Sequence, residues 1–465
     1  MNKSCRFALA SFLLLTISSV VAQDLTHPTR MNLPGSDFER PSPTDYQLTL
    51  DNGLIAFVAE AHQAPLVTLS AFVRVGLVDG DQQGSAEALL DALRTSGPAN
   101  MTPDAFKTTL KRMTADYSVE MHAEWTEVSL NVPVEDLGTA MPLFANLLRR
   151  PALSADSIAR AAQSANPQSH DLRGEDGPAL YEGSLNAAVE KFYDILYAGH
   201  AYGVRPDVND FENLSTGDVE RFHSAYFVPG NLVLAIAGDI VADEVHSMVA
   251  DQFGDWRSGA VPDAKEIPPV GIKGTRQHNF PAEKLQSWLV FGHDLPQVTV
   301  NDAAALEVMN YILAGGHLWT RMTIETRYKY GYTNDASGFL EDRWFGPGGY
   351  NFRSYSRPEV IKSIYDNMMA EIFRIRNEEV SDEELFVAKG ALTEGSFQIR
   401  YLDGYQIARS FALERLRYGN HERSATYVER IRAVTAKDVL AAANKYLRPN
   451  DMQVILVGEA EDLLD

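Results

Sequence analysis

One stretch of this chain is written twice. Residues 215–239 read STGDVERFHSAYFVPGNLVLAIAGD, and residues 435–459 read TAKDVLAAANKYLRPNDMQVILVGE. The copies stand 220 residues apart without a gap, and Asp218, Val219, Tyr226, Pro229 and Gly238 meet Asp438, Val439, Tyr446, Pro449 and Gly458. Each copy carries the same physical instructions. Ser215 or Thr435 is a helix N-cap, and Asp218 or Asp438 three residues on makes a short-armed capping box. A helix runs to the tyrosine. Pro229 or Pro449 then breaks it, having no N–H to donate. The apolar runs 232–237 and 452–457 follow, as in buried strands, and a glycine closes each copy. A repeat this long implies a duplicated domain rather than a solenoid.

The chain has 465 residues, of which 45% are hydrophobic, enough for two cored domains and too many for a disordered chain. Its net charge of −22 argues against nucleic acid or an anionic membrane as partner. Residues 1–22 have the form of an export signal. Lys3 and Arg6 precede the apolar run 7–21, and Val20-Val21-Ala22 fits a cleavage site. That run is too short for a permanent membrane anchor. Its removal takes the only cysteine, Cys5, and brings the charge to −24. A large exported protein without cysteine suits the periplasm of a Gram-negative bacterium, or secretion, rather than an extracellular eukaryotic setting.

Residues 23–44 form an irregular lead-in. A hairpin follows, with strands at 46–50 and 54–59 about an Asn52-Gly53 turn. The pattern predicts a strand over 66–75, helices over 84–94 and 103–113, strands within 117–132 and a helix over 134–148. Residues 155–195 read as helix interrupted at Pro167 and 174–178. Residues 258–275, with three prolines and several glycines, form the best linker. The order then repeats: a strand over 287–291, helices over 303–312, 320–330 and 360–377, a long helix over 382–402, and a helix over 405–418. The predicted domains are 45–255 and 281–460, joined by 256–280. Both are α+β, each with a largely antiparallel sheet and helices packed on it.

Several segments in this order resemble the pitrilysin or insulinase-like (M16) zinc peptidases of the short two-domain type. They are LDNGL at 50–54 with APLVTL at 64–69, GHAYG at 199–203, FHSAYFVPGN at 222–231, LEVMNYILAGG at 306–316 and RIRAVTAKDV at 430–439. The resemblance spans about residues 45–460. It implies two homologous domains facing each other as a clamshell.

It also implies a site at 84–91, where catalytic members resemble G-L-A-H-x-x-E-H. There, two histidines one helical turn apart bind zinc and the glutamate acts on the metal-bound water. This chain reads GSAEALLD. Glu87 and Asp91 stand at the histidine positions, and Leu90, which holds no proton, stands at the base. The family's third ligand, a glutamate, has no acidic counterpart near 164–168. Glu87 and Asp91 share a helix face, but two carboxylates make a poor metal site, and the plain alternative is a solvated or salt-bridged face. In the second domain the family pairs an arginine with a tyrosine seven residues on, and both bind substrate across the chamber. Here Arg327 matches, and Asn334 replaces the tyrosine. The alternative is that Arg327 ion-pairs with Glu325 or Asp335.

The resemblance thus implies a non-catalytic subunit that holds no cofactor. Zinc would sit in a partner, an H-x-x-E-H homologue in a heterodimer, and the pair would enclose a peptide chamber. A structural or peptide-binding scaffold without a role in proteolysis is the rival. An active peptidase with unusual ligands is the third reading, and Leu90 weighs against it.

Overall fold

The computed structural model describes residues 38–165, 184–282, 285–341, 343–459 and 462–464. The export signal and the helix interruption at Pro167 and 174–178 lie outside them. From Phe38 onward the chain forms one compact unit, and no described helix is long and apolar enough to cross a membrane.

Among the described residues there are two sheets. The first contains β1 (Gln47–Thr49), β2 (Ile55–Glu60), β3 (Leu66–Val73), β4 (Asp116–Met121), β5 (Thr126–Pro133) and β6 (Leu232–Gly238), ordered β1-β2-β6-β3-β5-β4. The second contains β7 (Arg276–Pro281), β8 (Ser287–Leu295), β9 (Ala336–Leu340), β10 (Gly348–Ser356) and β11 (Gln453–Gly458), ordered β7-β11-β8-β10-β9. One pair in each sheet is parallel, β2 with β6 and β7 with β11, and the rest are antiparallel. A shift of about 220 residues lays β2, β3, β4, β5 and β6 on β7, β8, β9, β10 and β11. β1 has no described counterpart.

The helices that matter below are α1 (Ser85–Thr95), α2 (Ala155–Ala165), α3 (Leu185–Leu196), α4 (Thr216–Tyr226), α5 (Gly404–Tyr418) and α6 (Ala436–Tyr446). α4 and α6 begin the repeated stretch, and both capping boxes form. The Asp218 carboxylate accepts the Ser215 N–H at 2.8 Å, and Asp438 accepts that of Thr435 at 2.8 Å. Tyr226 and Tyr446 each end their helix and are buried. α4 ends three residues before Pro229, which instead starts a 3-10 turn, and Asn231 Nδ2 donates to the Tyr226 carbonyl at 2.9 Å. The closing glycines are required. Gly238 has φ +152° and Gly458 φ +132°, and a Cβ at Gly238 would meet the Leu66 carbonyl oxygen at 2.1 Å.

α3 and α5 are equivalent in the duplication, and the halves exchange them. Ala188, Phe192 and Leu196 of α3 pack on Val290, Ile455 and Val457 of the second sheet. Ala408, Phe411 and Ala412 of α5 share a core with Phe57, Ala59, Val233 and Ala235 of the first, and the Phe57 and Phe411 rings lie 5.7 Å apart. β6 and β11 are therefore buried on both faces along their whole length, so their sequences read as continuous apolar runs. Between the halves Trp125 stacks on Trp344 at 5.5 Å. Beside them the buried Glu124 accepts the Tyr202 hydroxyl at 2.6 Å and the N–H groups of Trp344 and Phe345 at 2.6 and 2.8 Å.

The helices expected over 303–312, 320–330 and 382–402 are not continuous α-helices. Each passes into a π turn, at Tyr311–Gly315, Ile324–Lys329 and Ala391–Ser396 respectively. A π turn inserts one residue into the helical repeat without disturbing the apolar spacing on either side, so periodicity alone does not reveal it. The predicted linker is irregular up to residue 275, and β7 takes up its last residues.

Candidate functional site

α1 starts at Gly84, whose φ of +88° lets the backbone turn beside the Phe211 ring, where a Cβ would meet a ring carbon at 2.9 Å. The helix buries Ala86, Ala88, Leu89 and Leu93 in the core of the first half, and Ala92 is buried too. Glu87, Leu90 and Asp91 are half-buried. Leu90 packs against the core. Burial pushes the Glu87 carboxyl above the usual range; nearby Asp210 adds to this and Arg205 opposes it.

Asp91 is engaged from α2. Arg160 Nε donates to an Asp91 carboxylate oxygen at 2.9 Å, and Nη2 lies within ion-pair distance of the same oxygen at 2.8 Å. Nη2 also reaches the Thr95 and Ser96 hydroxyls, at 2.8 and 3.2 Å. A guanidinium therefore spans α1 and α2. One carboxylate is already neutralised, an apolar side chain stands at the base position, and no group of three or more His, Cys, Asp or Glu among the described residues could hold a metal. These residues do not fit zinc. Of the two readings for this face, the structure contains the salt bridge.

Arg327 lies on the π turn Ile324–Lys329. Neither expected acidic partner pairs with it. Glu325 takes Lys329 at 2.9 Å, and Asp335 accepts the Ser337 hydroxyl at 3.2 Å. Arg327 Nη1 instead donates to the Asn334 main-chain carbonyl at 3.1 Å, and the guanidinium stands 5.7 Å from the Tyr328 ring centre. The structure thus brings Arg327 and Asn334 together, through the backbone of Asn334. The turn is anchored underneath by the buried Arg321, which forks onto Glu384 at 2.6 and 3.0 Å. The same stretch of chain carries the aromatic side chains Trp319, Tyr328, Tyr330 and Tyr332. Trp319 is 72% exposed and faces Tyr328 at 6.3 Å, and Tyr330 stacks on Tyr332 at 5.2 Å. The signal was present as four aromatic residues within 319–332. Arg160 carried no such signal, because only the packing of α2 on α1 selects it. Among the described residues no hydrogen bond or ion pair joins the Arg327 group to Glu87, Leu90 or Asp91.

Comparison with known proteins bears on the fold. The family model described as Peptidase M16 inactive domain matches residues 213–392. The chain is 21% identical over 284 residues to the zinc protease PqqE of Helicobacter pylori, a match covering 59% of this chain and 62% of that protein. It is 20% identical to an uncharacterized zinc protease of Rickettsia felis, over 87% of this chain and 97% of the relative. Among solved structures, a peptidase M16 inactive domain from Pseudomonas fluorescens superimposes with a TM-score of 0.74 at 20% identity, covering 89% of this chain and 98% of that one. The fold is that of the M16 proteins, and the resemblance read from the sequence holds.

Proposed function

We propose that this M16-like chain is the non-catalytic subunit of a periplasmic zinc metallopeptidase complex. The zinc sits in a partner that carries H-x-x-E-H, and the two chains enclose a peptide chamber. The observation that carries this reading is the Arg160 guanidinium on Asp91, which fills the degenerate motif with a cation of the chain's own. Arg327 supports it from the other half. Its guanidinium is tied to a carbonyl and has no carboxylate partner among the described residues, so it retains donors for a peptide carbonyl or a developing oxyanion. Asn334 is exposed beside it. The signal-like residues 1–22 support export.

Co-purification with an H-x-x-E-H homologue, followed by a peptide-cleavage assay, tests the reading. Arg327→Ala lowers turnover roughly ten- to thousandfold, by analogy with the loss of one oxyanion donor. Assembly and the partner's zinc content stay unchanged. Arg327→Lys rescues poorly, since a point charge does not replace a fork. Glu87→Ala cleaves like the wild type. Full turnover of Arg327→Ala in an intact complex rejects the shared site and leaves the scaffold reading.

A further inference from the structure

The duplication leaves one strand unmatched. In the first sheet β1 covers the outer edge of β2, antiparallel, with Gln47 opposite Phe57 and Thr49 opposite Ile55. In the second sheet the equivalent of β2 is β7, and no described strand lies on its outer side. The reason is written in the sequence. Carrying β1 forward by the offset that relates β2 to β7 lands on Pro268, Pro269 and Val270. Two consecutive prolines have no N–H to give a ladder, so a strand cannot form there. His200 Nε2 holds the Pro268 carbonyl at 2.8 Å instead, and Val270 packs with α3.

This edge, without a strand neighbour among the described residues, borders a groove of about 600 Å³ between α3 and β7. Arg276, His278 and Phe280 alternate along β7 and so face the same side. Lys191 of α3 stands 5.6 Å from the Phe280 ring centre. In a chain of net charge −22 this is a local reversal. Among the described residues neither Lys191 nor Arg276 has a carboxylate within ion-pair distance. Lys273 is shared with Asp451 at 3.3 Å, and Asp194, the acidic residue lining the groove, turns to Arg205 at 3.8 Å. Charge on an edge strand also discourages self-pairing. Here, however, it is set in a recess with an apolar wall of Ile195, Ile272 and Phe280, which suits a side chain as well as a backbone.

We propose that β7 and this groove form a docking site for an extended acidic peptide segment of a partner protein. The segment adds antiparallel to β7 as β1 does to β2. The strand edge supplies main-chain hydrogen bonds, and Lys191 and Arg276 select acidic side chains. This site is separate from Arg327 and does not depend on the partner zinc.

The test is fluorescence anisotropy of the whole chain with a labelled alternating Glu-Val peptide, about eight residues long to match a typical strand. The peptide binds, more weakly as salt rises. It protects amides of 276–281 from exchange. Lys191→Glu with Arg276→Glu weakens binding at least about tenfold, a loss of about 1.4 kcal/mol, while circular dichroism stays unchanged. A peptide N-methylated at alternate residues does not bind. The proposal is overturned by no binding, by equal binding of a Lys-Val peptide or of the N-methylated peptide, or by insensitivity to the double charge reversal. It is also overturned if β7 proves to pair with a second copy of the chain, seen as a dimer by sedimentation that the double reversal dissolves.

Discussion

Separating Arg160 from Asp91 tests whether a guanidinium has replaced the metal as the tie between α1 and α2. The perturbation is a double-mutant cycle of Asp91→Ala, Arg160→Ala and the double variant. Two charges about 4 Å apart attract by ~4 kcal/mol at an effective dielectric near 20. The Arg160 side chain is 40% exposed and that of Asp91 18%, so solvent screens much of this. One N–H on the carboxylate, a second guanidinium nitrogen at ion-pair distance from the same oxygen, and two hydroxyls fixing the guanidinium lift the pair above an ordinary surface bridge. The coupling expected is about 1–2 kcal/mol. Arg160→Ala alone costs about 1.5–2.5 kcal/mol, because it also leaves a half-buried carboxylate unpaired. Urea unfolding followed together by fluorescence and far-UV circular dichroism measures each corner. Metal analysis of Arg160→Ala after dialysis is the companion readout. With only Glu87 and Asp91 uncovered, the variant still holds no stoichiometric zinc. A coupling within about 0.3 kcal/mol of zero, or one tight zinc per chain in Arg160→Ala, refutes the reasoning.

Further outcomes follow from other parts of the fold. Gly238→Ala destabilises by about 2–4 kcal/mol, since its Cβ collides with the Leu66 carbonyl at a positive φ, and urea midpoints register it. Glu124→Gln weakens the seam between the halves by about 2–4 kcal/mol, because an amide cannot accept the Tyr202 hydroxyl and two N–H groups as a carboxylate does; limited proteolysis at the linker then accelerates. Burial holds the His223 imidazole down at about 4, against an ordinary 6.5, as a neutral ring donating to the Leu148 carbonyl. Unfolding therefore takes up a proton between these values. The stability that His223 contributes is complete above pH 6.5 and falls as the pH drops towards 4. His223→Gln flattens the stability profile across that window by about 1.4 kcal/mol per pH unit, and an unchanged slope in urea titrations would show that the ring is not buried neutral.

Much of the fold was legible because the duplication writes each local rule twice. The capping boxes at Ser215 and Thr435 and the doubly buried strands β6 and β11 are local consequences of local residues. The α1 reading was legible for a different reason. Leu90 cannot hold a proton wherever it is placed, so the loss of the general base follows from the residue type alone. Arg160 was hidden, since a surface arginine 69 residues from Asp91 has no sequence mark of its partner. The exchange of α3 and α5 was equally hidden. An amphipathic helix advertises an apolar face, not which sheet receives it. The π turn under Arg327 escaped because one inserted residue leaves the surrounding apolar spacing intact.

The places where the copies diverge are where this chain departs from its own scaffold. A duplicated fold gives each half the same strand order and the same exchanged helix, and that shared frame accounts for stability without accounting for use. β1 exists in one half, while Pro268 and Pro269 forbid it in the other, so among the described residues two sheets of one design present one edge covered by a strand and one without. The Glu87–Asp91 helix face in the first half is closed by Arg160. In the second half Arg327 keeps its guanidinium on a main-chain carbonyl and beside the exposed Tyr328 ring. Closing a charged site from within and leaving another without a carboxylate partner among the described residues are opposite choices made on one fold. Local rules broken in one copy and kept in the other are the expected mark of function rather than of folding. The two proposals, substrate binding at Arg327 and peptide docking along β7, both rest on such departures in the second half of the chain.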